Sequence, residues 1–407
     1  VGGAMRGYGI PQVCFAIESF MDDVANEIHM DPLEFRRKNL IQGYYEDAYL
    51  KPIAANTNGI FECLEKGAEY IHWDEKRKEY AEQTGDVRKG VGMALFSYKT
   101  GVWPISLEIA GARLSLNQDG SVQLMLGATE IGQGADTVFS QMVAETLHTD
   151  MEHVHIKTVQ DTDVSPFDTG AYASRQSFVT GTAVRHCAEI LRDKILAYAK
   201  TLLPEIDTRE LTLKDNWIWA GDEQAISLAA LAEESYYSLT NSSVLTAEVS
   251  EQVKKNTIAT GCCFAEVEVD IKLGKIKILH IINVHDSGKL LNPQLAEMQV
   301  HGGMSMGMGY GISEQLILDE KTGRPLNGNL LDYKLMTMLD TPDIKADFVE
   351  LCDPMGPYGN KALGEPPAIP CAPAIRNAVL HATGVAFYEN PLTPQRLIDG
   401  FKKAGLI

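Results

Sequence analysis

Glu365 stands between a glycine and two prolines in Gly359-Asn360-Lys361-Ala362-Leu363-Gly364-Glu365-Pro366-Pro367. The prolines fix their own φ angles and offer no N–H, so the segment is stiff and presents its carboxylate as a positioned general base would be. Pro366 is expected to push Glu365 into an extended conformation. Gly364 has no Cβ and admits close approach of another group. Taken alone, the segment reads more simply as a surface acid in a proline-rich loop, so other stretches must carry the argument.

Two glycine- and hydroxyl-rich stretches suggest anion chemistry. Gly127-Ala128-Thr129-Glu130-Ile131-Gly132-Gln133-Gly134 lies between an expected strand and an expected helix. That order puts backbone N–H groups at a helix N-terminus, which suits an anion or an oxo group, although such turns also need glycine for steric reasons alone. Ser174-Arg175-Gln176-Ser177 places two hydroxyls, an amide and a guanidinium at a second helix start, a phosphate cradle in composition. The alternative there is a capped helix whose arginine pairs with a neighbouring acid. Two such starts together point to a phosphorylated ligand.

Two other patterns carry less weight. His153 and His155 would share one face of a strand, but a zinc site needs further ligands and none is near in sequence. Gly303-Met304-Ser305-Met306-Gly307 fits the G-x-S-x-G pattern, with Asp332 or Asp340 and then His381 in suitable order. A nucleophile elbow requires a strand, a sharp turn and a helix. Leu295 to His301 instead continue a helical pattern, so the match is read as chance.

The elements that must position these residues follow from periodicity and punctuation. Pro11 to His29 is expected as a helix with an apolar face, and Asp31 as the N-cap of a short helix opened by Pro32 and running to Asn39. Residues 40 to 58 read as irregular, and Ile60 to Glu82 as a helix ending in a charged, solvated run. Gly90 to Tyr98, Leu107 to Leu116, Ser121 to Leu126 and His153 to Val159 have strand character. Helices are expected over Ala135 to His148 and from Phe178 to about Leu203. Residues 204 to 255 read as an insertion of short elements. Cys262 to Leu273 and Lys275 to Asn283 alternate as a hairpin about Gly274. A long segment opens at Asn292-Pro293 and carries the small residues from Gln299 to Gly309, which permit close approach of a backbone or a flat ligand. Two last helices are expected near Pro373 to Gly384 and Pro394 to Lys403.

Charge and composition restrict the classes. A net charge of −19 argues against nucleic acid or an anionic membrane as partner, since both call for basic patches. No apolar run approaches the roughly 20 residues that span a bilayer. The seven cysteines form no CxxC pair, so neither a zinc site nor an iron–sulfur cluster is read from them. Reduced thiols in a cytoplasmic protein are the simplest account. The opening Val1-Gly2-Gly3-Ala4-Met5-Arg6-Gly7-Tyr8 shows no initiator methionine and no signal-peptide pattern, and reads as a piece of a longer protein. A domain boundary is expected in the polar link near residue 85, giving 1–85 and 86–407.

In combination and order, these stretches resemble the molybdenum-binding subunits of the xanthine oxidase and aldehyde oxidase family, over essentially the whole chain. The motifs are Ala4-Met5-Arg6-Gly7-Tyr8-Gly9 with Pro11-Gln12, Gly127 to Gly134, Ser174 to Ser177, Asp286-x-Gly288 with Asn292-Pro293, Gln299 with its glycines, and Gly364-Glu365-Pro366-Pro367. The wording is most similar to bacterial xanthine dehydrogenases built from separate subunits. The resemblance implies an α+β fold of molybdopterin-binding domains, with mixed sheets and flanking helices. It implies a molybdenum hydroxylase acting on a purine, with Glu365 as general base toward the water-derived oxygen that joins an electron-poor ring carbon. In that family the metal is held by a pterin dithiolene with no amino-acid ligand. Gln133 matches the residue whose amide reaches the metal's oxo ligand. Gly132, Gly134, Ser174, Arg175, Gln176, Ser177 and Gln299 match cofactor-binding positions, and Arg6 and Tyr8 match the substrate pocket. The second aromatic of that pocket falls near Val102 or Trp103.

The resemblance also implies a cytosine-dinucleotide form of molybdopterin, and iron–sulfur and FAD subunits as partners. A further part of the same subunit, with another cofactor loop and a second pocket acid, would precede Val1. Met5 stands next to where a molybdenum–copper carbon monoxide dehydrogenase would have a cysteine, which argues against that branch. The alternatives are the same chemistry on nicotinate, another N-heterocycle or an aldehyde, or a catalytically silent structural or assembly subunit.

Overall fold

The computed structural model describes residues 3–41, 57–157 and 159–407. The irregular stretch expected over 40–58 therefore lies mostly outside the described residues. Packing divides the chain into two compact units: Val1–Lys99 with Thr257–Pro354 and Lys361–Ile407, and Thr100–Asn256 with Met355–Asn360.

The first unit begins with α1 (Ile10–Glu27), α2 (Pro32–Asn39), α3 (Ile60–Ile71), α4 (Trp73–Glu79) and β1 (Val87–Lys99). Asp31 caps α2 as its sequence suggests, its carboxylate accepting from the amides of Leu33 and Glu34. The single helix expected over Ile60–Glu82 is instead two. His72 adopts a left-handed conformation at φ 55°, and the break sets the Trp73 indole to donate to Asp31 at 3.2 Å. The boundary placed from the sequence at residues 85 and 86 falls in the link from α4 to β1; packing units are a different division, and that boundary stays a proposal.

The second unit supplies β2 (Ile109–Leu116), β3 (Val122–Leu126), α5 (Ala135–Leu147), β4 (Val154–Ile156), α6 (Gly181–Leu202), β5 (Leu211–Lys214), β6 (Trp217–Ala220), β7 (Glu223–Ser227), α7 (Leu228–Tyr237) and β8 (Thr246–Gln252). Its main sheet runs β4-β3-β2-β8, and β5-β6-β7 form a small separate one. The segment between 204 and 255 is thus made of short elements, as its sequence reads. Strand β4 is shorter than His153 to Val159, because His153 belongs to a 3₁₀ turn. The helix expected from Phe178 starts with a π turn, Gln176–Thr180, before α6.

The chain returns to the first unit with β9 (Ile258–Asp270), β10 (Lys275–Asp286), α8 (Pro293–Ile312), β11 (Asp343–Phe348), α9 (Cys371–Thr383) and α10 (Pro394–Lys403). The sheet order is β1-β9-β10-β11, antiparallel except for the parallel pair β10 and β11. Strand β9 is buried on both faces, which explains its nearly continuous apolar run. Cys263, Ala265 and Val267 join the core of α8 and α9, whereas Cys262 and Phe264 join that of α3 and Trp73. Two glycines bring α9 onto β1: a Cβ on Gly92 would lie 2.1 Å from the Ala378 nitrogen, and one on Gly90 2.2 Å from the Ala378 oxygen. The G-x-S-x-G residues lie inside α8, so no strand-to-helix elbow exists to activate Ser305.

Candidate active site

In the first unit the chain from β10 to α9 is anchored before it reaches Glu365. Asp286 and Lys361 form a fully buried ion pair at 2.6 Å. The aspartate also accepts from the amides of Gly59 (2.8 Å) and Gly288 (3.1 Å), and the lysine donates to the Thr57 carbonyl at 3.0 Å. The Lys361 amide donates to the Ser287 carbonyl at 2.7 Å. With all these partners, the two charges are compensated where no water reaches them. The Asp286-x-Gly288 motif therefore fixes the segment that carries Glu365.

Glu365 itself departs from expectation. Its backbone is helical, at φ −94° and ψ −36°, rather than extended. Pro366 disfavours this conformation, but Glu365 opens a 3₁₀ turn over Pro366–Ala368, and its carbonyl accepts from the Ala368 amide at 3.2 Å. The turn is held from α8, where Gly303 lets Pro367 approach so closely that a Cβ would stand 2.4 Å from it. Asn283 of β10 donates to the Pro367 carbonyl at 2.9 Å.

The half-buried carboxylate is gripped at both oxygens. The Gly7 amide donates to Oε1 at 3.3 Å, and the Tyr98 phenol donates to Oε2. Beside it, Arg6 donates from Nε to the Gly364 carbonyl at 2.6 Å. Its Nη2 donates to the Gln299 carbonyl at 3.0 Å and to the Gln299 side-chain oxygen at 3.3 Å. Burial lowers the Arg6 pKa, and the Glu365 charge opposes that effect. Arg6 thus ties the Glu365 loop to α8, and Gln299 receives it. Tyr8 projects outward, 77 % exposed, from a left-handed backbone at φ 41°.

His285 lies behind these groups, fully buried between the rings of Phe96 and Phe348 at centroid distances of 5.0 and 6.3 Å. Neither ring nitrogen has a hydrogen-bond partner among the described residues. Burial, and secondarily the Arg6 charge, push its pKa down to about 3, so the imidazole is neutral at physiological pH.

The second unit gathers Gln133, Gly132, Gly134 and Gln176. Gln133 Nε2 donates to Gln176 Oε1 at 2.6 Å and to the Thr129 carbonyl at 3.0 Å, and its own oxygen accepts from the Ile131 amide at 2.7 Å. The N-terminal amides expected to await an anion already have one from the chain itself. Glu130 Oε1 accepts from Gly132 (2.7 Å) and Gly134 (3.1 Å), and Oε2 from Asp136 (3.1 Å). Its pKa is lowered: burial works to raise it, but the amide hydrogen bonds prevail.

Arg175 is fully buried and committed to protein partners. Nε donates to Glu108 at 2.5 Å, Nη1 to Asp168 at 2.7 Å and to the Gly170 carbonyl at 3.1 Å, and Nη2 to the Ile109 carbonyl at 2.8 Å. Here the guanidinium pairs with acids, the alternative that the sequence left open. Ser174 stands in a left-handed conformation at φ 50°, and Ser177 is half-buried in the π turn.

Tyr98, Glu130 and Lys361 were not singled out by the sequence. An aromatic at a strand end reads as core, and an acid in a glycine turn reads as solvated. The lone lysine among apolar residues and glycines at 359–364 was the one legible sign, because a lysine so placed needs a buried acid.

Comparison with known proteins bears on both units. The molybdopterin cofactor-binding domain family matches residues 66–342, and a second molybdopterin cofactor-binding domain model matches residues 1–40. The chain is 48% identical over 410 residues to the putative xanthine dehydrogenase molybdenum-binding subunit XdhA of Escherichia coli (strain K12), covering 100% of this chain and 54% of that protein. It is 31% identical to the probable hypoxanthine oxidase XdhD of the same strain, over 98% of this chain and 42% of that protein. The chain thus spans about half the length of the curated relatives it matches. Its fold is that of quinoline 2-oxidoreductase from Pseudomonas putida 86, with a TM-score of 0.89 at 24% identity over 98% of this chain and 53% of that one.

Proposed function

The chain belongs to the family of molybdopterin cofactor-binding domains carried by xanthine dehydrogenase-type molybdenum-binding subunits, and from that premise we propose that it is the general-base-bearing part of a molybdenum hydroxylase that oxidises a purine with water as oxygen source. The observation that carries the proposal is the grip on Glu365: a carboxylate fixed by the Gly7 amide, the Tyr98 phenol and the Arg6-tethered Gly364. An ordinary surface acid has no need of three such restraints, whereas a base must meet its proton at a fixed distance.

The residues fit a pterin-held metal. Gln133 and Gln176 place neutral carboxamides, bonded to one another and to Thr129, beside a helix N-terminus whose Gly132 and Gly134 amides are held by Glu130. A cofactor would exchange some of these bonds for its own, and Gly132, at φ +96°, has open space where a Cβ would stand. Such groups hold an oxo- or phosphate-bearing cofactor by hydrogen bonds without ligating its metal. Gly132, Gln133, Gly134, Ser174, Gln176 and Ser177 would line it, Arg175 shaping that wall from inside. When bound, the molybdenum pterin supplies Lewis acidity and accepts two electrons. The chain's own part is to orient substrate against Tyr8, to keep the Arg6 charge near the reacting site, and to take a proton on Glu365.

We further propose that iron–sulfur and FAD subunits receive the electrons, that the pterin carries a cytosine dinucleotide, and that the assembly is cytoplasmic. Two relatives named for xanthine and hypoxanthine support the purine assignment. Glu365→Gln in the complete complex is expected to keep molybdenum and pterin while turnover falls about 10²–10⁴-fold. Undiminished turnover would remove Glu365 from the mechanism. Activity on nicotinate or aldehydes but not purines would move the substrate assignment, and a preparation without molybdenum and pterin would identify a silent subunit.

A further inference from the structure

Tyr98 is the last-but-one residue of β1, buried, and its phenol reaches across to Glu365 Oε2. The strand end is rigid. β1 pairs with β9 along its full length, and Tyr98 stands opposite Ala259. The other carboxylate oxygen is held by Gly7, whose amide is aimed by the turn into α1: Gly7 is at φ +94°, and a Cβ there would lie 2.7 Å from the Pro11 ring. One oxygen of the carboxylate therefore answers to the sheet and the other to the loop before α1.

We propose that Tyr98 is a positioning residue for Glu365, fixing the rotation of the carboxylate. This rests on the reading of Glu365 as the base. The other charged and titratable groups facing this corner are Arg6 from the loop before α1, Tyr310 of α8, Cys371 of α9 and His285 of β10. Arg6 donates to Gly364 and Gln299, while the Tyr98 phenol donates to the carboxylate itself.

The test compares the complete complex with its Tyr98→Phe, Glu365→Gln and doubly substituted forms. Phenylalanine keeps the ring and removes only the hydroxyl, and Tyr98→Leu reports on loss of the ring itself. Tyr98→Phe should lower kcat about tenfold with little change in KM and keep bound molybdenum and pterin. The double variant should be no slower than Glu365→Gln alone, because the phenol acts only through the carboxylate. Difference infrared spectroscopy, with the band assigned by its loss in Glu365→Gln, should show the Glu365 carboxylate stretch displaced in Tyr98→Phe, independently of turnover. An unchanged carboxylate stretch would overturn the proposal, as would a further loss of rate in the double variant. A fully active Glu365→Gln would refute only the base reading, and an infrared shift would then still establish the contact.

Discussion

At the level of single residues, this site works by restraint more than by unusual charge. Arg6 illustrates it. A guanidinium beside the proposed base invites the idea of a free cation for substrate, yet its Nε and Nη2 are spent on one carbonyl of the Glu365 loop and two oxygens of Gln299. Lysine would keep the charge and lose the fork. Arg6→Lys is therefore expected to lower kcat at least tenfold while the net charge near the site is unchanged, as steady-state kinetics on a purine will show. A variant that loses only affinity, with kcat intact, would return Arg6 to direct substrate binding. Glycine and proline mark the Glu365 segment and glycines mark Gln133, but the roles proposed for both come from the family resemblance, the Glu365 segment alone reading as a surface acid. Tyr98 and Glu130 were not legible, because their partners are 267 and at most 6 residues away and no periodicity marks either distance.

At the level of elements, local rules placed most helices and strands, and the departures share a cause. Asp31-Pro32 and Asn292-Pro293 opened helices as read, since cap and proline act within one turn. The break at His72, the π turn before α6 and the helical Glu365 were set by tertiary partners: Asp31 for Trp73, the Glu108 and Asp168 pair for Arg175, and α8 for the Pro367 turn. The loop from Thr129 to Gly134 is the element where a local carboxylate matters most. Glu130→Gln removes the charge that three amides share. Exchange of the Gly132 and Gly134 amides should then quicken about tenfold by hydrogen-exchange measurement, the effect of losing roughly one charge-assisted hydrogen bond. Protection equal to the parent protein would show that the glycine turn needs no internal anion.

For the whole molecule, histidines that are buried neutral contribute to the acid response, opposed by Asp22, whose pKa burial pushes up to about 6. His285 and His381 both have pKa values pushed down to about 3, by burial first and a nearby arginine second, while the unfolded chain titrates near 6.5. Between those values the unfolded state binds protons that the folded state refuses, so stability is full above about pH 6.5 and declines as pH falls toward 3. The slope is up to about 1.4 kcal/mol per pH unit for each histidine. Urea unfolding between pH 7 and 4 should show it, and His285→Met should flatten it by one proton; an unchanged slope would show that His285 does charge in the folded state. The division into two packing units was the least legible property of the chain. Strand patterns announce that a segment will pair, and are silent on its partner.

The pairing of β1 with β9 has a consequence in time. Lys99 and Ile258 are register partners, yet a ribosome making 5–20 residues per second completes the second about 160 residues and roughly 10–30 s after the first. Through that interval β1 is an apolar strand without its neighbour, long enough to meet another nascent copy and pair with it instead. Newly made chain therefore needs shelter, by a chaperone or by early packing of α3 and α4, until β9 arrives. Yield of this protein should be governed by the pace of synthesis between those two strands.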